Sequence, residues 1–113
     1  SNQEQPQRDF QMDKNYINNL LINNDKAVAR ALVALYKRQT EDEKNSEATI
    51  VHNMAGFTPA DAPIGSSMAT FYLKFNRLSE KQIAYWRKPN AKGVPRICKY
   101  SGQLLKIAQA KEN

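Results

Sequence analysis

The chain has 113 residues, enough for one domain with a real core, with 41% apolar and 25% charged residues and few Gly or Pro. No apolar run approaches the ~18–20 residues that cross a bilayer, and Ser1 to Gln11 contains no hydrophobic stretch of signal-peptide type. A single cysteine, Cys98, excludes an internal disulfide, and the expectation is a protein of a reducing cytoplasm.

The net charge of +6 is unevenly spread. Residues 1–73 hold seven Lys/Arg and nine Asp/Glu, a balance of −2, whereas residues 74–111 hold ten Lys/Arg against the single acid Glu80, a balance of +9. Glu112 brings the total to +6. Such polarity raises the potential at one end of the molecule and favours a polyanionic partner over a neutral one. The bland alternative is a solvated basic face that binds nothing anionic.

Residues 1–12 are polar and Gln-rich and read as a disordered tail, with one helical domain over 13–113. From Asp13 a short helix is expected, with Tyr16, Ile17, Leu20 and Leu21 on one face. Asn23-Asn24 interrupts it, and Asn24 or Asp25 can cap the next segment. The strongest helical pattern covers 25–39: Val28, Ala31, Leu32, Leu35 and Gln39 share one side. Lys26, Arg30 and Lys37 fall opposite, within about 40° of one another.

Thr40-Glu41-Asp42-Glu43 matches a capping box, so a separate helix is expected to begin there. Thr49-Ile50-Val51 could be extended, with a loop through His52, Asn53 and Gly56 after it. Phe57 is expected to plug the core beneath that loop. Thr58-Pro59-Ala60-Asp61 starts a turn that Pro63 and Gly65 interrupt, with a helix then expected over about 65–75. Met68, Phe71, Tyr72 and Phe75 supply its apolar side, and Gly65-Ser66-Ser67 lets two helices approach closely. Ser79-Glu80-Lys81-Gln82 caps a helix of about 80–88 that Pro89 ends. Pro95 opens a last helix, 95–111, buried along Ile97, Tyr100, Leu104 and Ala108. No segment alternates as a strand would. The fold expected is all-α, a compact bundle of four or five short helices.

Catalytic and metal-binding patterns are missing: there is no phosphate loop, no His-x-x-x-His and no Cys-x-x-Cys. A site from His52, Asp61 and Cys98 would need unrelated loops to converge, and a Cys98–His52 nucleophile pair is set aside because Cys98 falls at a semi-buried helical position. The expectation is therefore a non-enzymatic protein with no metal and no cofactor.

What remains is basic. Lys81, Tyr85 and Lys88 recur at i, i+4 and i+7, and Lys99, Gln103 and Lys106 repeat that spacing on the last helix. Between them, the start of the last helix would offer free N–H groups to a phosphate, flanked by Lys88, Lys92 and Arg96. Gly93 would let that backbone approach closely. Tyr85 either stacks on an unpaired base or packs as a half-buried aromatic. Trp86, beside Ile83, reads as a core anchor ahead of a stacking platform. The function expected is binding of single-stranded or branched nucleic acid, mainly through phosphates. The runner-up is an adaptor or inhibitor docking on an acidic host-protein surface, and a third reading is a small structural or assembly protein.

Several segments together resemble small modules of phage and mobile-element proteins. They are Ala34-Leu35-Tyr36-Lys37-Arg38-Gln39-Thr40-x-Asp42-Glu43, Asn53-x-x-Gly56-Phe57-x-x-x-Asp61-Ala62 and Gly65-Ser66-Ser67-x-Ala69. Arg77-Leu78-Ser79-x-Lys81-Gln82 and Lys99-Tyr100-Ser101-Gly102-Gln103-Leu104 complete the pattern. The resemblance spans about residues 30–108. Similar segments occur alone or attached to replication and helicase-like proteins, which implies an accessory role on nucleic acid. This chain departs from the pattern at Met54, where a Gly would come after Asn53, and in a longer 86–97 stretch.

Overall fold

The computed structural model describes residues 11–48 and 55–112, and among these it has five α-helices and one short 3₁₀ helix. They are α1 (Lys14–Asn23), α2 (Asp25–Ala48), α3 (Ala62–Phe75), α4 (Glu80–Arg87), the 3₁₀ helix η1 (Arg96–Tyr100) and α5 (Ser101–Glu112). The all-α expectation holds. Residues 1–10 of the expected tail, and Thr49-Ile50-Val51 with His52 and Asn53, lie outside the described residues.

Helix α1 starts at Asp13, whose carboxylate accepts from the Tyr16 amide at 3.0 Å. Asn24 ends α1 in an extended conformation, while its Oδ1 accepts from the Ala27 amide at 3.2 Å. One residue therefore closes one helix and opens the next. Helix α2 then runs for 24 residues, and the separate helix expected at Thr40 is absent. An N-cap needs a non-helical backbone, and neither Gly nor Pro interrupts 25–48. The Thr40 hydroxyl instead donates back to the Lys37 carbonyl at 3.0 Å, as a mid-helix threonine does.

The α2 stripe is buried as its spacing predicts: Val28, Leu32 and Leu35 are fully covered, and Ala31 nearly so. Ile17 and Leu21 of α1, Ile83 and Trp86 of α4, and Ile97, Tyr100 and Leu104 of the C-terminal segment complete one core. Trp86 lies fully buried in it, and its indole N–H donates to Met68 Sδ at 2.9 Å. The Phe57 ring sits 5.9 Å from the rings of both Trp86 and Tyr100. This is the plug expected beneath the loop.

Helix α3 departs from expectation twice. It starts at Ala62, with Pro63 in its first turn, so Pro63 opens the helix and does not interrupt it. Its buried face also runs through Gly65 and Ala69, with Met68 packed beside them. Phe71 and Phe75 stay outside the core, and Phe75 is 48% exposed. The reason is steric. A Cβ on Gly65 would lie 2.5 Å from the Phe57 ring, so Gly65 makes room for the aromatic plug, while the neighbouring Ser66 meets Gln39 of α2 at 3.4 Å in the close helix approach expected of this stretch.

The capping box at Ser79 forms as expected: Ser79 Oγ accepts from the Gln82 amide at 3.1 Å, and Gln82 Oε1 accepts from the Ser79 amide at 2.7 Å. Arg87, in the last turn of α4, donates to the Leu21 carbonyl at 2.9 Å and pairs with Asp25 at 2.8 Å. It thereby ties α4 to the α1–α2 joint. The single helix expected over 95–111 is instead two pieces, the five-residue η1 and then α5. No helix of the described residues is long and apolar enough to cross a membrane.

Candidate nucleic-acid interface

The segment between α4 and η1 folds into a tight turn. Pro89 and Pro95 form an isolated antiparallel bridge, in which the Arg96 amide donates to the Lys88 carbonyl at 3.0 Å. Asn90 Oδ1 accepts from the amides of Lys92 and Val94 at 2.8 and 3.0 Å. Gly93 adopts φ +83°, which a residue with a side chain rarely takes. Open space surrounds its Cβ position, so the turn and not a close approach requires glycine there.

This geometry corrects the expected phosphate cradle. The Arg96 amide is already bonded, and the chain continues from it as a 3₁₀ turn of only five residues. The Arg96 guanidinium lies 4.5 Å from the centre of the Tyr85 ring and reaches Asp61 Oδ1 at 3.4 Å. Tyr85 is half-buried, with Trp86 edge-on at 5.3 Å. Of its two readings, the packing aromatic is the one the contacts favour.

Asp61 is the centre that sequence reasoning missed. Its carboxylate is 1% exposed and accepts from the Tyr100 hydroxyl at 2.6 Å, with Lys99 Nζ at 2.9 Å and Arg96 Nη1 at 3.4 Å. Burial alone would raise this carboxyl. The Tyr100 bond, the Lys99 bond and charge, and the Arg96 charge outweigh it and hold Asp61 below its ordinary value. The Tyr100 hydroxyl, buried and bonded to a carboxylate, is pushed up to about 12. It also accepts from the Thr58 amide at 3.1 Å. Five residues from two distant segments, Thr58 and Asp61 on one and Arg96, Lys99 and Tyr100 on the other, thus hold the start of α3 against η1. The signal for Asp61 was present: it is the one acid between Glu47 and Glu80.

Gln103 likewise has an internal role. Its amide clamps Gly56 on both sides, accepting from the Gly56 N–H at 2.8 Å and donating to the Gly56 carbonyl at 2.9 Å. Gly56 itself has φ +92°, and a Cβ there would meet Gln39 at 2.6 Å. Cys98 is buried, and burial pushes its thiol up, away from the reactive thiolate.

The remaining predicted residues face solvent. Lys81, Lys88, Lys92 and Lys106 are all exposed and make no ion pair among the described residues. Lys81 lies in the first turn of α4, Lys88 at its C-cap, Lys92 in the turn and Lys106 on α5. Lys99 remains 42% exposed and Arg96 34% exposed while they hold Asp61. Of the eight predicted residues, the structure therefore brings Tyr85 and Arg96 into contact and joins Arg96 to Lys99 through Asp61. It leaves four lysines unpaired.

A second basic surface lies on α2. An open groove of about 240 Å³ between α1, α2 and α5 is floored by residues such as Leu20, Ala27, Ala34 and Ile107 and edged by Arg30 and Lys111. A neighbouring hollow of about 300 Å³ shares Arg30, Ala34 and Lys111 and adds Lys37, Tyr72 and Leu73. Among the described residues, no acid lines either one. Comparison with protein-family models, curated proteins and solved structures gave no match to this chain.

Proposed function

We propose that this chain is a non-enzymatic accessory protein, of phage or plasmid origin, that binds single-stranded or branched nucleic acid through its phosphates. The observation carrying this reading is the set of exposed, unpaired lysines Lys81, Lys88, Lys92 and Lys106 in a stretch whose only acid is Glu80. Lysine side chains on a flexible stem neutralise phosphates without reading bases, and their counterion release supplies most of such affinity. Arg96 and Lys99 share one carboxylate between two cations, so their cluster keeps a net positive charge and adds to the same field. Titration against single-stranded DNA, duplex DNA and RNA at two salt concentrations tests the reading. Salt-sensitive binding to at least one of them is expected, and its absence for all three overturns it.

A second reading rests on the groove along α2. Its apolar floor, with Arg30 and Lys111 at the edge and Lys37 in the adjoining hollow, complements an acidic amphipathic helix of a protein partner. Capture of one host protein that persists after nuclease treatment and is lost in Arg30→Glu favours it over the first.

A further inference from the structure

Helix α3 ends in an aromatic pair that the core does not use. Phe71 and Phe75 are one turn apart, with ring centres 4.7 Å from each other at 47°. They lie about 120–160° around the helix from Ala69, which faces the core. Phe75 is 48% exposed, an unusual state for a ring in a protein of this size. Lys74 places its ammonium 5.4 Å from the centre of the Phe75 ring. Arg77 comes just after Asn76, whose left-handed backbone (φ 59°) ends the helix. Both cations make no ion pair among the described residues.

An exposed ring flanked by free cations is the chemistry that holds an unpaired base beside its phosphate. The contrast with Tyr85 is direct. Helical spacing points to that ring as the stacking surface, and the Arg96 guanidinium covers it. Phe75 and Lys81 are six positions apart, so their Cα atoms lie within about 22 Å of each other. A strand of a few nucleotides is long enough to span from Phe75 to Lys81.

We propose that Phe75, supported by Phe71 and flanked by Lys74 and Arg77, is a base-stacking platform for single-stranded nucleic acid. This rests on the nucleic-acid reading above and adds to it a preference for unpaired bases. Stacking is tolerant of sequence because every base has a π-face, so an oligothymidylate is a sufficient probe. The removal of one stacking ring weakens single-strand binding by on the order of fivefold or more.

The test is fluorescence anisotropy of a labelled 16-mer of thymidylate and of a 16-base-pair duplex, with the wild type, Phe75→Leu and Phe75→Tyr. Trp86 is fully buried, so its emission reports independently that each variant is folded. The expected result is at least fivefold weaker thymidylate binding by folded Phe75→Leu, unchanged duplex binding, and recovery in Phe75→Tyr. If the wild type binds thymidylate and Phe75→Leu binds it within twofold, the platform is overturned and the phosphate reading stands. Equal loss on strand and duplex also overturns it. If the wild type binds neither nucleic acid at any salt, the nucleic-acid reading itself fails and takes the platform with it.

Discussion

The Tyr100 hydroxyl donates to Asp61 Oδ2 at 2.6 Å, across 39 residues of chain, and this bond joins the end of η1 to the start of α3. Asp61 does not cap its helix: its side chain makes no capping bond and its backbone is already helical. Replacement of the carboxylate by an amide would leave two cations without their counter-charge and put an NH2 donor in place of one of the two acceptor oxygens that now serve Tyr100, Lys99 and Arg96. Asp61→Asn should cost about 1–3 kcal/mol in urea unfolding, below the full value for a buried pair because Arg96 and Lys99 are partly solvated. A loss under about half a kcal/mol would show that the cluster is incidental.

The same pair sets a pH dependence. The Tyr100 hydroxyl is raised when folded, so its contribution is complete below the unfolded value near 10 and is lost as pH rises toward 12. Asp61 is lowered when folded, so its contribution is present above the ordinary carboxylate value and disappears as pH falls below it. Stability measured from pH 9 to 12 should fall for the wild type and fall less for Tyr100→Phe. Parallel curves would refute the assignment.

Core geometry gives a third expectation. Gly65→Ala introduces a methyl group 2.5 Å from the Phe57 ring and should cost about 1–3 kcal/mol, although alanine ordinarily favours a helix. Leu35→Ala, at a fully covered site, should cost about 2–5 kcal/mol. Denaturant midpoints measure both. A stabilising Gly65→Ala would mean that Phe57 lies elsewhere.

Charge reversal separates structural from free cations. Arg96→Glu puts a carboxylate beside Asp61 and removes the cation over Tyr85, so it should destabilise the fold by about 1–3 kcal/mol. Lys92→Glu, on an exposed turn, should stay within about half a kcal/mol. Equal effects in thermal unfolding would contradict the two roles.

Where helical period and capping chemistry act alone, the sequence is a good guide. The α2 stripe, the Ser79 capping box and the buried Ile97–Leu104 line all arise from local spacing. Apart from the uninterrupted α2 at Thr40, the failures share one cause, which is that distant contacts override local pattern. Phe57 claims the space above Gly65, so α3 buries its small residues and leaves Phe75 outside. Asp61 draws Arg96 and Lys99 inward, and Gly56 engages Gln103, though all three look in the sequence like parts of one basic face. Periodicity places a residue on a side of a helix. It does not say which charge will find a buried partner across the fold.

Phosphate binding by the unpaired lysines would make affinity depend steeply on salt. Thymidylate binding would be measured over about 50–200 mM salt for the wild type and for Lys81→Glu, Lys88→Glu, Lys92→Glu and Lys106→Glu combined. Four single-strand phosphate contacts predict a slope of log K against log salt near −2.8, or about a 50-fold loss over that range. The combined variant should remain folded and bind with a slope flatter by about 0.7 for each lysine that contacts a phosphate. Wild-type affinity that ignores salt, or a folded variant with the wild-type affinity and slope, would contradict the account.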